Sequence, residues 1–149
     1  MQKIGYLIII LIIGIFIYFR FPRKVSKTIN QIIGNQNFNL EIADNTYLQA
    51  KGLSGRSQLC SKCGMLFIFS YQTTQSFWMK DTLIPLDIIF INTDGQVTDI
   101  YTATPEPDKS DLQLTLYQST APTKYVIELN ADVSKKIGLN KGDYLKLNL

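Results

Sequence analysis

TLIPLDIIFINTDGQVTDIYTAT, residues 82–104, is the stretch on which the reading of this chain turns. Ile88–Ile91 and Val97–Tyr101 are runs of β-branched and aromatic residues, and Asp94-Gly95 sits between them. Glycine takes positive φ without steric cost, so this arrangement predicts a tight turn and an antiparallel hairpin. Toward the C-terminus, TPEPDKSD is a polar, proline-containing loop and KYVIEL a further strand. NADVSKKIGL then reads as a short helix, with Asn130 or Asp132 near its start and Gly138 at its end. KGDYLKLNL closes the chain as a turn and an imperfectly alternating strand.

Toward the N-terminus, GMLFIF predicts a buried strand. ADNTYLQAKGL predicts a short helix capped by Asp44 or Asn45 and ended by Gly52. FNLEI alternates Phe38, Leu40 and Ile42 with polar residues, the period of a half-buried strand. TINQIIGNQN reads as a linker, either a helical turn or two around Ile29, Ile32 and Ile33 or a short stalk. There is no repeat and no βαβ alternation. The predicted class is α+β: a mainly antiparallel sheet or small open barrel with one or two short helices.

An uncharged apolar run, Ile4–Phe19, precedes this domain. At about 1.5 Å per residue it makes roughly 24 Å of helix, extendable by Phe21 and a snorkelling Arg20. It is long for a signal-peptide core and no small-x-small cleavage site follows, so an uncleaved transmembrane anchor is expected, with a cleaved signal peptide as the alternative. The expected organisation is an anchor over 1–21, a juxtamembrane linker over 22–37 and one globular domain over 38–149. The basic residues after the run favour a cytoplasmic domain by the positive-inside rule, whereas the very short N-terminal tail suits a signal anchor with its C-terminus outside.

The net charge of +3 belongs to the N-terminal part. Lys3, Arg20, Arg23, Lys24 and Lys27 precede residue 41 without one acidic residue, leaving 10 basic against 12 acidic residues thereafter. That balance lacks the electrostatic footprint of a nucleic-acid binder. The 149 residues include no histidine, which removes the usual general base and every Ser-His or Cys-His pair. The two cysteines form Cys60-x-x-Cys63. Two thiols are half a structural zinc site, and a thioredoxin-like pair would stand at a helix N-terminus rather than before an apolar run. A local disulfide or free thiols, a redox pair and a shared metal site are the three readings. No cofactor and no metal held by this chain alone is expected.

GLSGRSQLCSKCGMLFIF, SFWMKDTLIPLDIIFINTDGQV, YVIEL and GLNKGDYLKL together resemble the family named domain of unknown function 192, over roughly residues 38–149. The matching positions are Gly52, Leu53, Arg56, Gly64, Met65, Phe67, Phe77, Trp78, Met79, Lys80, Thr82, Pro85, Leu86 and Asp87. Asp81 departs from the family's Asn, and the cysteines lie outside its pattern. The resemblance implies a compact α and β domain with mostly antiparallel strands, often behind a signal peptide or single anchor, and carries no established activity. That usual export signal tips the orientation toward the extracytoplasmic side.

In an extended segment Phe77, Met79 and Asp81 point one way and Trp78, Lys80 and Thr82 the other, which lets the Lys80 ammonium approach the Trp78 ring. Asp87 shares a face with Ile89, and an acid among apolar neighbours needs a partner, for which Arg56 and Lys80 are the natural groups. One reading is a structural ionic network of Arg56, Lys80 and Asp87. The other is a cleft in which Arg56, Trp78, Met79, Lys80, Asp81 and Asp87 bind a small polar or anionic ligand. The expected role is a membrane-anchored binding or accessory module of the cell envelope, its protein partner unspecified. A hydrolase or transferase with Asp87 or Asp81 as base and Lys80 or Arg56 steadying developing charge is the alternative, and a redox or metal module at Cys60 and Cys63 the third.

Overall fold

A computed structural model describes residues 27–149. The apolar run Ile4–Phe19, and the anchor read from it, lie outside the described residues. Among the described residues no helix is long and apolar enough to cross a membrane.

The predicted hairpin is present as β5 (Leu86–Ile91) and β6 (Val97–Ala103). Gly95 takes φ 85°, and the Asn92 carboxamide oxygen accepts from the N–H groups of Asp94 (3.0 Å) and Gln96 (2.9 Å), so the turn satisfies its own backbone. All six β5 residues are buried, since β5 lies inside a six-stranded sheet. Its remaining strands are β1 (Thr28–Ile33), β2 (Gln36–Ala43), β3 (Cys63–Thr73) and β8 (Thr123–Asn130), in the order β1-β2-β3-β8-β5-β6. A two-stranded ribbon, β4 (Ser76–Phe77) with β7 (Tyr117–Gln118), lies outside this sheet. The helices are α1 (Thr46–Lys51) and α2 (Val133–Lys136).

Three predictions change, and one open choice is settled. The sheet is open and mixed: β2 and β3 run parallel, joined across α1, so the chain does hold one βαβ crossover. The stretch read as linker is, from Thr28, an edge strand paired antiparallel with β2. Between the alternatives for capping α1, Asn45 is the cap: its side chain accepts from the Leu48 N–H, and Gly52 ends the helix at φ 48°. The C-terminal KGDYLKLNL is no strand but a tail with one bridge, Gln96 to Tyr144. It seals one core, in which Leu139 and Leu145 join Phe38, Leu66, Ile89 and Ile127. On the sheet's other face α1, the loop after it and the ribbon enclose a second core around Met65, Phe67, Met79, Ile88, Phe90 and Val126.

Gly64 brings β3 close to its neighbours. A Cβ there would stand 2.4 Å from the Glu128 carbonyl oxygen, 2.7 Å from Leu129 and 2.8 Å from Leu40. The first contact is backbone and cannot swing away. Gly64→Ala is therefore expected to destabilise by about 3 kcal/mol, at the upper end for overpacking, read as a lower urea midpoint at unchanged slope.

Candidate functional site

The register sets Glu41, Met65, Glu128 and Ile88 side by side across β2, β3, β8 and β5. Alternate residues face opposite sides of a sheet, so Glu128 joins Met65 and Val126 on the second core, while Ile127 and Leu129 enter the first. Glu128 is 5% exposed, and its Oε2 is sealed from solvent with no hydrogen-bond partner among the described residues. Burial pushes its carboxyl up to about 8, against the opposing pull of the Arg56 charge. At neutral pH it holds its proton.

Arg56 does not neutralise Glu128 because its fork is already taken. Its two terminal nitrogens donate to Glu41 Oε1 (2.6 Å) and Oε2 (2.8 Å), a bidentate pair that fixes the loop after α1 against β2. The hydrogen bond to Glu41 holds the guanidinium above its ordinary range, with burial opposing.

Above Glu128 lies a cleft of 260 Å³. Gln49, Lys51 and Gly52 of the α1 segment form one wall, and Phe67, Phe69 and Phe77 the other. The Phe67 and Phe77 rings meet edge to face at 4.9 Å. A side chain at Gly52 would approach Phe67 to 3.4 Å and Glu128 Oε2 to 3.8 Å, so glycine leaves the floor open. Trp78 and Lys80 stand at the mouth, with Lys80 Nζ 5.8 Å from the indole centroid. Lys80 also pairs with Asp111 of the 3-10 turn Asp111–Gln113, a hydrogen bond that holds the ammonium above its ordinary value.

Met79 enters the second core, whereas Phe77, Trp78 and Lys80 all line the cleft. Met79 is 2% exposed and is a core residue rather than a contact surface. Asp81 is exposed at φ 52°, and its carbonyl accepts from the Gly55 N–H at 2.8 Å. That left-handed conformation suits Asn and Asp alike, so the departure from the family's Asn keeps the turn.

Asp87 stands apart from this group. It pairs across the sheet with Leu129, not Glu128, and therefore faces the opposite core. Its partners are the Thr102 hydroxyl (2.8 Å) and the N–H groups of Asp132 (3.1 Å) and Ser134 (2.8 Å), not Arg56 or Lys80. The expected network of Arg56, Lys80 and Asp87 does not form, because each finds a separate partner. Cys60 and Cys63 are joined in a disulfide, so neither sulfur is free as a zinc thiolate.

The residue that sequence reading passed over is Glu128. The signal was in KYVIEL: with Val126 on one face and Ile127 and Leu129 on the other, the strand is buried on both sides, so an acid within it is buried too. A neutral carboxyl offers one donor and an acceptor, Lys51 and the Asp111-paired Lys80 line the same cleft, and one wall is aromatic. Chemically, the arrangement can hold a polar or anionic group against a hydrogen-bonding floor.

Among proteins of curated function none matches this sequence. The fold is similar to that of a "putative transcription regulator" from Sinorhizobium meliloti 1021, with TM-score 0.70 and 31% identity over 82% of this chain and 93% of that one. It is also similar to a protein of unknown function from Novosphingobium aromaticivorans DSM 12444, with TM-score 0.71 and 29% identity over 85% of this chain and 90% of that one. Residues 28–147, β1 included, match the family model of domain of unknown function 192, described as "Uncharacterized ACR". The β1 edge strand, the Glu128 cleft and the Trp78–Lys80 mouth thus all lie within that match, and the chain belongs to the domain of unknown function 192 family.

Proposed function

We propose that this protein is a ligand-binding module of the cell envelope, anchored through residues 1–21 with its domain outside the cytoplasm, and that the cleft over Glu128 takes a small organic anion. The observation that carries this is Glu128 Oε2, buried without a hydrogen-bond partner among the described residues, in a residue that lines a cleft with aromatic rings on one wall. Buried polar groups are nearly always satisfied, and because Glu128 lines the cleft, a group settled there is a partner within reach of its carboxyl. Protonated, Glu128 donates to a carboxylate or phosphate oxygen while Lys51 and Lys80 supply charge. The Cys60–Cys63 disulfide fits an oxidising compartment. The regulator-like description of the Sinorhizobium protein does not transfer well, since acids outnumber bases from residue 41 on.

Thermal unfolding of the full chain against sugar acids, nucleotides, organic acids and phosphates tests this. A ligand present at 100 times its Kd adds about 2.7 kcal/mol of apparent stability. Wild type is expected to show that rise and Trp78→Ala to lose most of it while keeping its own midpoint, since Trp78 is 47% exposed. Affinity should also fall above pH 8 in wild type as Glu128 ionises, and not in Glu128→Gln, which keeps a donor. No shift with any anion at any pH would end this reading.

A further inference from the structure

We infer that the cleft is served from a lipid surface: its mouth rests on an anionic bilayer, and the ligand is an amphiphile whose polar group enters while its apolar part stays outside. This rests on the binding reading above and adds the source and class of the ligand.

The cleft is small. At 260 Å³ the cleft lies just below the ~300–1,000 Å³ of sites that enclose whole small molecules, so it accommodates a polar group and little more. What remains of the ligand must lie outside, where Trp78 lines the mouth and exposed leucines stand on the segments that flank it. Trp78 is 47% exposed, Leu83 56%, Leu112 99% and Leu116 63%. The ladder that pairs Phe77 with Tyr117 brings Trp78 and Leu116 level at the ribbon's end, and the Lys80–Asp111 pair ties the residue before Leu112 to Lys80. Leu83 follows Thr82, itself part of the cleft lining. Bare leucines around an indole and an ammonium make a surface that water serves badly and a membrane interface serves well.

The chain also enters the domain beside the cleft. The Lys27 carbonyl accepts from the Ile42 N–H (2.7 Å), and the next residue, Ala43, accepts through its carbonyl from Gln49 of the cleft wall (3.4 Å). The N-terminal segment therefore joins the sheet beside the wall of the cleft. Between the apolar run ending at Phe19 and the first strand residue, Thr28, there are eight residues, four of them basic: Arg20, Arg23, Lys24 and Lys27. Fully extended they reach about 27 Å, so a bilayer that held residues 4–19 would keep the cleft within touching distance. Basic residues so placed favour anionic headgroups.

Trp78 is the single tryptophan of the chain, so its emission reports on the mouth alone. The full chain is reconstituted into phosphatidylglycerol–phosphatidylcholine vesicles, with and without bromine on the acyl chains. Brominated lipid is expected to quench most of the Trp78 emission, and plain vesicles to shift it to the blue. The double variant Leu112→Asp, Leu116→Asp, altered at exposed positions and checked for fold by circular dichroism, should float with the vesicles and lose the quenching. Equal wild-type emission in the two vesicle types, or a chain that does not float with vesicles, overturns the inference. A water-soluble anion that raises the midpoint without any quenching would also overturn it, while leaving the binding reading in place.

Discussion

Glu128→Gln is expected to make the folded chain more stable than wild type at pH 8, by on the order of 4 kcal/mol relative to the same comparison at pH 4.5. In the unfolded chain this carboxyl titrates near 4.5, whereas burial in the fold pushes it up to about 8. Its contribution is thus fully present below pH 4.5 and is lost as pH rises to 8, because the unfolded state releases a proton that the folded state keeps. Between those values the slope approaches 1.4 kcal/mol per pH unit, and above pH 8 it levels off. Glutamine has nothing to release. Any fixed cost of burying its amide is the same at every pH, so the change in the difference is the quantity to read. Urea unfolding of both proteins at pH 5, 6, 7 and 8 measures it, with other titrating groups cancelling between them. Parallel profiles would mean that Glu128 ionises freely in the fold, and that neither its isolation from Arg56 nor its role as a donor holds.

Local signals in the sequence reached as far as local structure does. Asp94-Gly95 fixes its hairpin through φ at one residue and four hydrogen bonds within five positions. Asn45 and Gly52 bound α1 in the same way. The parallel pairing of β2 with β3 has no such mark, because the two strands meet across an intervening helix and loop. β1 was misread for a sharper reason. Its buried positions on the inner face are Gln31 and Ile33, so a polar residue carries half of the alternation. Gln31 is buried because it holds the C-terminal tail, donating to the Lys146 carbonyl (2.9 Å) and accepting from the Asn148 N–H (2.9 Å). That tail alternates like a strand but forms only one bridge. At the site, although the strand itself ends at Phe77, counting faces separates buried Met79 from Trp78 and Lys80 at the cleft. It failed to relate that segment to Asp87, because the left-handed turn at Asp81 and the break at Pro85 reset the count.

Asp87→Ala should be the most damaging single truncation outside the apolar cores, costing about 4 kcal/mol. The carboxylate is fully buried, and among the described residues its hydrogen bonds all come from neutral donors. Two of those are backbone N–H groups at the start of α2, a helix of four residues that cannot cap itself: Asp132 stands at the N-cap position at φ 64° with no side-chain capping bond. A residue from β5, 45 positions earlier, thus does the work of a cap, and it ties the helix to the sheet as it does so. Alanine removes the acceptor and leaves two N–H groups facing a gap, each costing roughly 1–3 kcal/mol if unsatisfied. Asp87→Asn keeps the shape but turns an amide donor toward donors, so it should recover less than half of the loss. Val133, Ile137 and Leu139 close the first core from this segment, so amide exchange should quicken at Ser134 and along β6 before the sheet as a whole opens. The Trp78 emission and the cleft, on the far face, should be unchanged in whatever fraction remains folded. A variant with wild-type stability and no ligand binding would instead put Asp87 in the cleft, and with it restore the ionic cluster that the register of β5 against β8 excludes.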